Sequence, residues 1–261
     1  MRRFLTLGLA AALAACASAA SVPPQAAVVF GVLGDVPYSP AEVEQLDRVI
    51  DEMNAEALAF VVHVGDIGRS TRAQACGDEW LLARQRQFAQ IRHPFVLLPG
   101  DNEWSDCRNP LERLRFWRKL FCTPTLKVEV QAGEYCEHVR WEAGGRVFVA
   151  LNVPGHDNNL RHPEHKPRMR AVMAWLDEAA ALAEHRQGLV VLMQANPFVT
   201  VPRDGFAPLR ERLQALGARR PGRVLLVHGD THVFKDDEPL PGVRRIEVWG
   251  SPFVAWTRLG L

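Results

Sequence analysis

The chain has 261 residues, 48% of them hydrophobic and 23% charged, a composition that excludes intrinsic disorder and fibrous repeats. Lys and Arg total 31 against 30 Asp and Glu, for a net charge of +1, so bulk charge draws the chain to neither nucleic acid nor an anionic membrane. No nucleic-acid partner is therefore expected, and a monomer is.

Residues 1–20 differ from the rest. Met1-Arg2-Arg3 is basic, and residues 4–15 are small, apolar and uncharged. This is an export signal, to be set aside from fold reasoning. Two processing readings compete. Leu13-Ala14-Ala15-Cys16 reads as a lipobox, which anchors the mature chain to a membrane through lipidated Cys16. Ala17-Ser18-Ala19 reads as an ordinary cleavage site. The lipobox is preferred, which predicts a periplasmic or outer-membrane lipoprotein. A linker over 21–27 then leads into one domain over 28–261.

The apolar run at 28–33 predicts a strand buried on both faces. A helix over 40–57 follows, with Val43, Leu46, Val49, Ile50 and Met53 on one face. Further along the chain come strand 58–64, helix 78–91, strand 95–98 and helix 110–121. Strands 126–130 and 147–153 precede a long helix over 167–185. Strand 189–193, helix 208–216, strand 224–227 and a closing pair at 245–249 and 253–257 complete the pattern. Such alternation predicts an α/β fold with a largely parallel sheet, and the late pair a mixed or second sheet. Besides Cys16 there are four cysteines, Cys76, Cys107, Cys122 and Cys136, an even number that fits two disulfides in an oxidising compartment. Three pairings are open. Cys76 with Cys107 is preferred, because both lie just beyond candidate site motifs, which leaves Cys122 with Cys136.

The strand ends carry the functional signal. Five Gly-Asp pairs occur where composition predicts about one, and four follow strands. They are Gly34-Asp35, Gly65-Asp66, Gly100-Asp101 and Gly229-Asp230, the last continuing to Thr231-His232. The strand at 189–193 runs into Gln194-Ala195-Asn196. Ligands of open α/β sheets bind beyond the carboxyl ends of strands. Carboxylates gathered there raise one another's pKa, and one or two divalent cations relieve the repulsion. Oxygen donors with a single imidazole suit Mn, Fe or Mg in preference to Zn.

In order, Gly-Asp, Gly-Asp, Gly-Asp-Asn-Glu and Gly-Asp-Thr-His resemble the calcineurin-like metallophosphoesterase superfamily, whose motifs read D-x-H, G-D, G-N-H-[DE], a lone His and G-H-x-H. The resemblance covers residues 28–257. It implies a four-layer α/β/β/α sandwich, two mixed sheets flanked by helices, with a dinuclear metal centre. It also implies that Asp35, Asp66 and His232 hold a first metal, that Asp66 bridges, and that Asp101, Gln194 (with Asn196 as the alternative) and Asp230 hold a second. Pro37, Asp101, Asn102, Gln194 and Asp230 depart from the family pattern, so the implied site loses imidazoles and gains carboxylates. The implied activity is hydrolysis of a small phosphorylated substrate, a phosphomonoester or diester, by a metal-bound hydroxide, or else binding of metal or a phosphorylated ligand by a weak relative. Asn102 is the candidate hydrogen-bond donor to the phosphate. His156, in the loop after the strand at 147–153, is the candidate acid.

Other features carry bland readings beside functional ones. His63 reads as a strand histidine, and the arginines between 203 and 223 as a solvated face. Arg161, His162, His165 and Lys166 crowd a polar loop suited to covering an anionic substrate.

Overall fold

The computed structural model describes residues 27–261. The expected export signal, Cys16 and the linker up to residue 26 lie outside the described residues. Eleven strands and five α-helices follow in the order β1 Val29–Leu33, α1 Pro40–Ala55, β2 Val61–His63, α2 Asp78–Phe88, β3 Phe95–Leu97, α3 Pro110–Phe121, β4 Glu129–Val130, β5 Val139–Ala143, β6 Arg146–Ala150, α4 His165–Ala183, β7 Gly188–Leu192, α5 Ala207–Arg219, β8 Val224–His228, β9 Lys235–Leu240, β10 Val243–Glu247 and β11 Thr257–Gly260. A short 3₁₀ turn, Asp101–Glu103, follows β3.

These elements form two mixed sheets. One has the order β11-β1-β2-β3, the other β4-β5-β6-β7-β8-β10-β9. In the first, β1, β2 and β3 run parallel and β11 antiparallel. In the second, β6, β7, β8 and β10 run parallel, with antiparallel strands at both edges. Apolar residues divide into three layers. Phe30, Val32, Val62, Phe148, Val190 and Leu225 fill the space between the sheets. Leu46, Ile50, Leu81 and Trp117 cover the outer face of the first sheet. Val172, Leu176, Leu209 and Leu213 cover that of the second. The molecule is therefore an α/β/β/α sandwich. Both sheets are buried on two faces, which is why their strands read as continuous apolar runs. Phe30 stacks on Phe60 at 4.9 Å, and Phe148 meets both edge-on. Each such fully buried ring contributes about 1.5–3 kcal/mol.

Local signals explain the boundaries. Ser39 caps α1 by accepting from Glu42 N at 3.3 Å, and Pro40 takes the first turn, where its missing N–H costs nothing. Strands β5 and β9 are additions to the sequence reading. The alternation of Val139 and Trp141 with Arg140 and Glu142 marks β5, over only five residues. The Lys235-Asp236-Asp237-Glu238 run has no apolar period. It forms an edge strand because Arg244 and Arg245 of β10 pair across to Asp236 and Asp237. The last strand lies at 257–260 rather than 253–257. Residues 248–256 instead loop back to the strand ends, where Ser251 N donates to Asp35 O at 3.0 Å. Disulfides join Cys76 to Cys107 and Cys122 to Cys136. No helix among the described residues is long and apolar enough to cross a membrane.

Candidate metal centre

The parallel strands of both sheets end at one edge of the sandwich, and the ends meet in pairs across the inter-sheet gap. Asp35 after β1 faces the loop after β8, where Asp230 N donates to both Asp35 carboxylate oxygens at 3.0 and 3.1 Å. Asp66 after β2 faces Gln194 after β7, whose Nε2 donates to Asp66 Oδ2 at 3.1 Å. Asp101 after β3 faces the loop after β6, where Gly155 N donates to Asp101 Oδ1 at 3.2 Å. A Cβ on Gly155 would lie 2.7 Å from both Asp101 Oδ1 and Asp230 Oδ1, so only glycine lets the backbone pass between these carboxylates.

Backbone strain concentrates here. Among the described residues seven non-glycine residues have positive φ, and five of them are Asp35, Asp66, His156, Asp230 and His232. The left-handed conformation costs about 1–2 kcal/mol per residue and persists only where the surroundings enforce it. Enforcement comes from buried neighbours. Glu103 is fully buried and accepts from the N–H groups of Gly100, Asp66 and Ile67, at 2.6, 3.1 and 2.6 Å, tying the β2 and β3 ends together. Glu247 does the same for the β8 end. It pairs with Lys235 at 2.6 Å and accepts from Thr231 N and Asn196 Nδ2, while Asn196 N donates to Asp230 Oδ2 at 2.8 Å. His232 is bonded through Nδ1 to Ser251 O at 2.7 Å, and its Nε2 lies 3.9 Å from Asp35 Oδ1.

The electrostatics are unfavourable without a counterion. Burial lifts the Asp35 carboxyl well above its usual range, the Asp230 N–H pulls it back, and the charges of Asp230 and Asp101 push it further up. Asp66 is raised by burial, then by Asp101, Glu103 and Asp35. Asp101 is raised by burial, then by Asp106 and Asp230. Burial lifts Asp230 to about 6 and Glu103 to about 7. Among the described residues no arginine or lysine is paired with Asp35, Asp66, Asp101 or Asp230.

A hard divalent cation suits this donor set. Gln194 Oε1 is buried with no hydrogen-bond partner, while the Nε2 of the same amide donates to Asp66 Oδ2. The ligand atoms are not drawn tightly together, however. Among the described residues, the only metal-ligating trio within 4.8 Å of one another is Cys122, Cys136 and Glu137, and those cysteines form a disulfide. Ligands sharing a cation at about 2.1–2.5 Å lie within about 4–5 Å of each other, so the carboxylates must draw inward on binding.

Sequence reasoning missed Tyr38. Its hydroxyl donates to Asp66 Oδ2 at 3.1 Å and accepts from Asn102 Nδ2 at 2.9 Å, and its ring meets His232 edge-on at 5.2 Å. Burial, then the charges of Asp66 and Asp35, hold the phenol well above its usual pKa. The available signal was position: Tyr38 stands three residues beyond Asp35, next to Pro37. Asn102 also donates its N–H to Asp66 Oδ1 at 3.1 Å, so its side-chain amide faces Tyr38. His156 is exposed beside Gly155, near the Asp106 carboxyl, whose pKa its charge lowers against the dominant effect of burial. His63 is a buried strand histidine, bonded to Val36 O at 3.1 Å and pushed by burial to about 3.

The sequence matches no family model. It also matches no curated protein. Solved structures do resemble the fold. A dimetal phosphatase from Danio rerio superposes with a TM-score of 0.60 at 13% identity, over 85% of this chain and 87% of that one. GAP50, the anchor in the inner membrane complex of Plasmodium, superposes at 0.57 and 11% identity, over 86% of this chain and 72% of that one. With its two mixed sheets between helical layers, the chain has the calcineurin-like metallophosphoesterase fold.

Proposed function

We propose that the protein is an exported, metal-dependent phosphoester hydrolase acting on a phosphomonoester or diester. The observation that carries this reading is the set of four carboxylates, the buried Asp35, Asp66 and Asp101 and the part-buried Asp230, converging with His232 and the Gln194 amide where two sheets end. Such a cluster is costly as a structural device and suited to holding cations. A bound divalent cation would supply Lewis acidity toward a phosphoryl oxygen and toward the attacking water.

The residues divide the work. Asp35, Asp66 and His232 offer one half of the centre, and Asp101, Gln194 and Asp230 the other. Asp66 lies between the halves, bonded to Gln194 on one side and Tyr38 on the other. His156 stands on the open rim and is the candidate proton donor to the leaving group. Asn102 holds the Tyr38 hydroxyl and can turn its remaining amide hydrogen toward substrate. Two disulfides support export, since such bonds persist in oxidising compartments.

A second reading, binding of metal or a phosphorylated ligand with weak or no turnover, is favoured by one observation. Asp66 Oδ2 already accepts from both Tyr38 and Gln194, which leaves it little capacity for a metal. The test is hydrolysis of 4-nitrophenyl phosphate and bis(4-nitrophenyl) phosphate by chelator-treated protein given Mn, Fe, Mg or Zn. Metal-restored turnover supports the hydrolase. Metal binding without turnover of either ester supports the binder.

A further inference from the structure

Beside the acidic centre lies a polar cavity of about 400 Å³ with a different character. It shares Gly155 and Asp106 with the centre's edge. Its outer wall carries Arg161, Arg203, His156 and His162. The wall comes from two loops, the one between β6 and α4, which carries His156, Arg161 and His162, and the one between β7 and α5, which carries Arg203; the first is firmly built. Arg168 is 1% exposed, donates to Asn152 O, Asn158 O and Asn158 Oδ1 at 3.0, 2.9 and 2.8 Å, and lies 5.5 Å from the Trp104 ring centroid. His165 is bonded to Asn158 O at 2.8 Å, and Asn158 Nδ2 donates to Gly205 O at 2.9 Å. A buried guanidinium spent on loop carbonyls preorganises whatever the loop presents.

Across the cavity the charges are mixed: Arg161 and Arg203 stand against the carboxylates of Asp106 and Asp157, and of the four only Arg203 and Asp157 are paired with each other. Arg161 is exposed and has no ion-pair partner among the described residues. Arg203 lines the cavity and uses Nε on Asp157 Oδ2 at 3.3 Å, which leaves its terminal nitrogens without a hydrogen-bond partner among the described residues. His162 Nδ1 accepts from Glu164 N at 3.2 Å, which fixes that ring. Two arginines lining one polar cavity are suited to a phosphate or carboxylate.

We infer that this cavity binds a second anionic group of the substrate, a phosphate or carboxylate separated by a short spacer from the phosphoryl group at the acidic centre. The inference rests on the phosphoesterase reading and narrows it to a substrate class: phosphoesters that carry another anion. An ester with an uncharged leaving group leaves the arginines unmatched.

The test compares three substrates of matched spacer, propyl phosphate, 3-(phosphonooxy)propanoate and propane-1,3-diyl bisphosphate, in wild type, Arg161→Gln, Arg203→Gln and the double variant. Arg170→Gln, an exposed α4 position outside the cavity, controls for general charge loss. Wild type is expected to favour one or both of the esters with a second anionic group over propyl phosphate by tenfold or more in kcat/KM, mainly through KM. The order of the two identifies the anion. Each cavity substitution is expected to reduce that ratio about tenfold, as loss of a charge-assisted hydrogen bond does, and Arg170→Gln is expected to leave it unchanged. A wild-type ratio near one, or a ratio equally reduced by Arg170→Gln, overturns the inference. A second arm needs no turnover: inorganic phosphate is titrated calorimetrically into chelator-treated protein. Saturable binding that the double variant weakens at least tenfold supports the cavity as an anion site even if no ester is hydrolysed, in which case it is the phosphoesterase reading that fails. Phosphate binding indifferent to the double variant overturns the cavity site itself.

Discussion

On the Asp35 side of the acidic centre, Tyr38 covers Asp66, edges against His232 and accepts from Asn102, and the loop carrying Ser251 closes behind them. On the Asp101 side, the same density of carboxylates opens through Gly155 onto a cavity rimmed by arginine and histidine. One side is held by hydrogen bonds from neutral donors; the other has oxygen ligands and room beyond them. The contrast teaches that, under the proposed function, metal-holding and substrate entry would be divided between two sides of one centre. In that proposal the sealed side would fix ligand positions and the open side would admit the ester. Asp66 belongs to both.

The largest effect is expected from Asp66→Asn, which keeps the shape and removes the charge shared by the two sides. Turnover should fall at least about a thousandfold and metal content should drop, read by steady-state assay and elemental analysis. Retention of both would break the comparison at its hinge. Next come the disulfides. By loop-closure entropy, removing Cys76–Cys107, with its sequence separation of 31, costs about 4 kcal/mol, and removing Cys122–Cys136, with 14, about 3 kcal/mol. The two double-serine variants should therefore melt similarly. Only the first should also lower kcat, because Cys76 Sγ and Cys107 Sγ lie 3.8 and 3.4 Å from Asn102 O, under the sealed side. Equal kcat losses would remove that distinction.

Asp230→His tests the open side. Exchanging an anionic oxygen for a neutral nitrogen should move metal preference about tenfold from Mg or Mn toward Zn in calorimetric titrations. An unchanged ranking would make Asp230 a turn residue. Tyr38→Phe tests the sealed side and should have a smaller effect. Freeing Asp66 Oδ2 should tighten metal binding a few-fold, while loss of the Asn102 contact lowers kcat by a similar factor.

The smallest effect is in pH. Asp230 titrates near 6 and Glu103 near 7, and Asp35, Asp66 and Asp101 well above the usual range. These acids bind protons more tightly folded than unfolded. Their contribution is fully present below about pH 4 and is lost as pH rises through the folded values. Chelator-treated protein should therefore melt several degrees lower at about pH 8 than at about pH 5, and added Mn should recover more at the higher pH. A metal-free melting temperature that does not fall over this range would mean that the carboxylates are already compensated.

Much of this was legible in the sequence because the physics was local. Continuous apolar runs marked strands buried on both faces, and glycine before aspartate marked the turns that lift Asp35, Asp66, Asp101 and Asp230 to one edge. The pairing of strand ends across the gap was not legible, since which loop faces which depends on how two sheets stack. Tyr38 was hidden because its role comes from distant partners, Asp66 and Asn102, rather than from any spacing. Strand β9 was hidden because its charges are satisfied by Arg244 and Arg245 on a neighbouring strand.

The most direct measurement is calorimetric titration of Mn into chelator-treated protein at fixed pH, with melting followed in parallel. A cation centre predicts saturable binding of one or two equivalents, protons released on binding, a raised melting temperature, and loss of all three in Asp66→Asn. No binding heat and an unchanged melting temperature would contradict it, leaving the four aspartates as a protonated, hydrogen-bonded cluster without a metal.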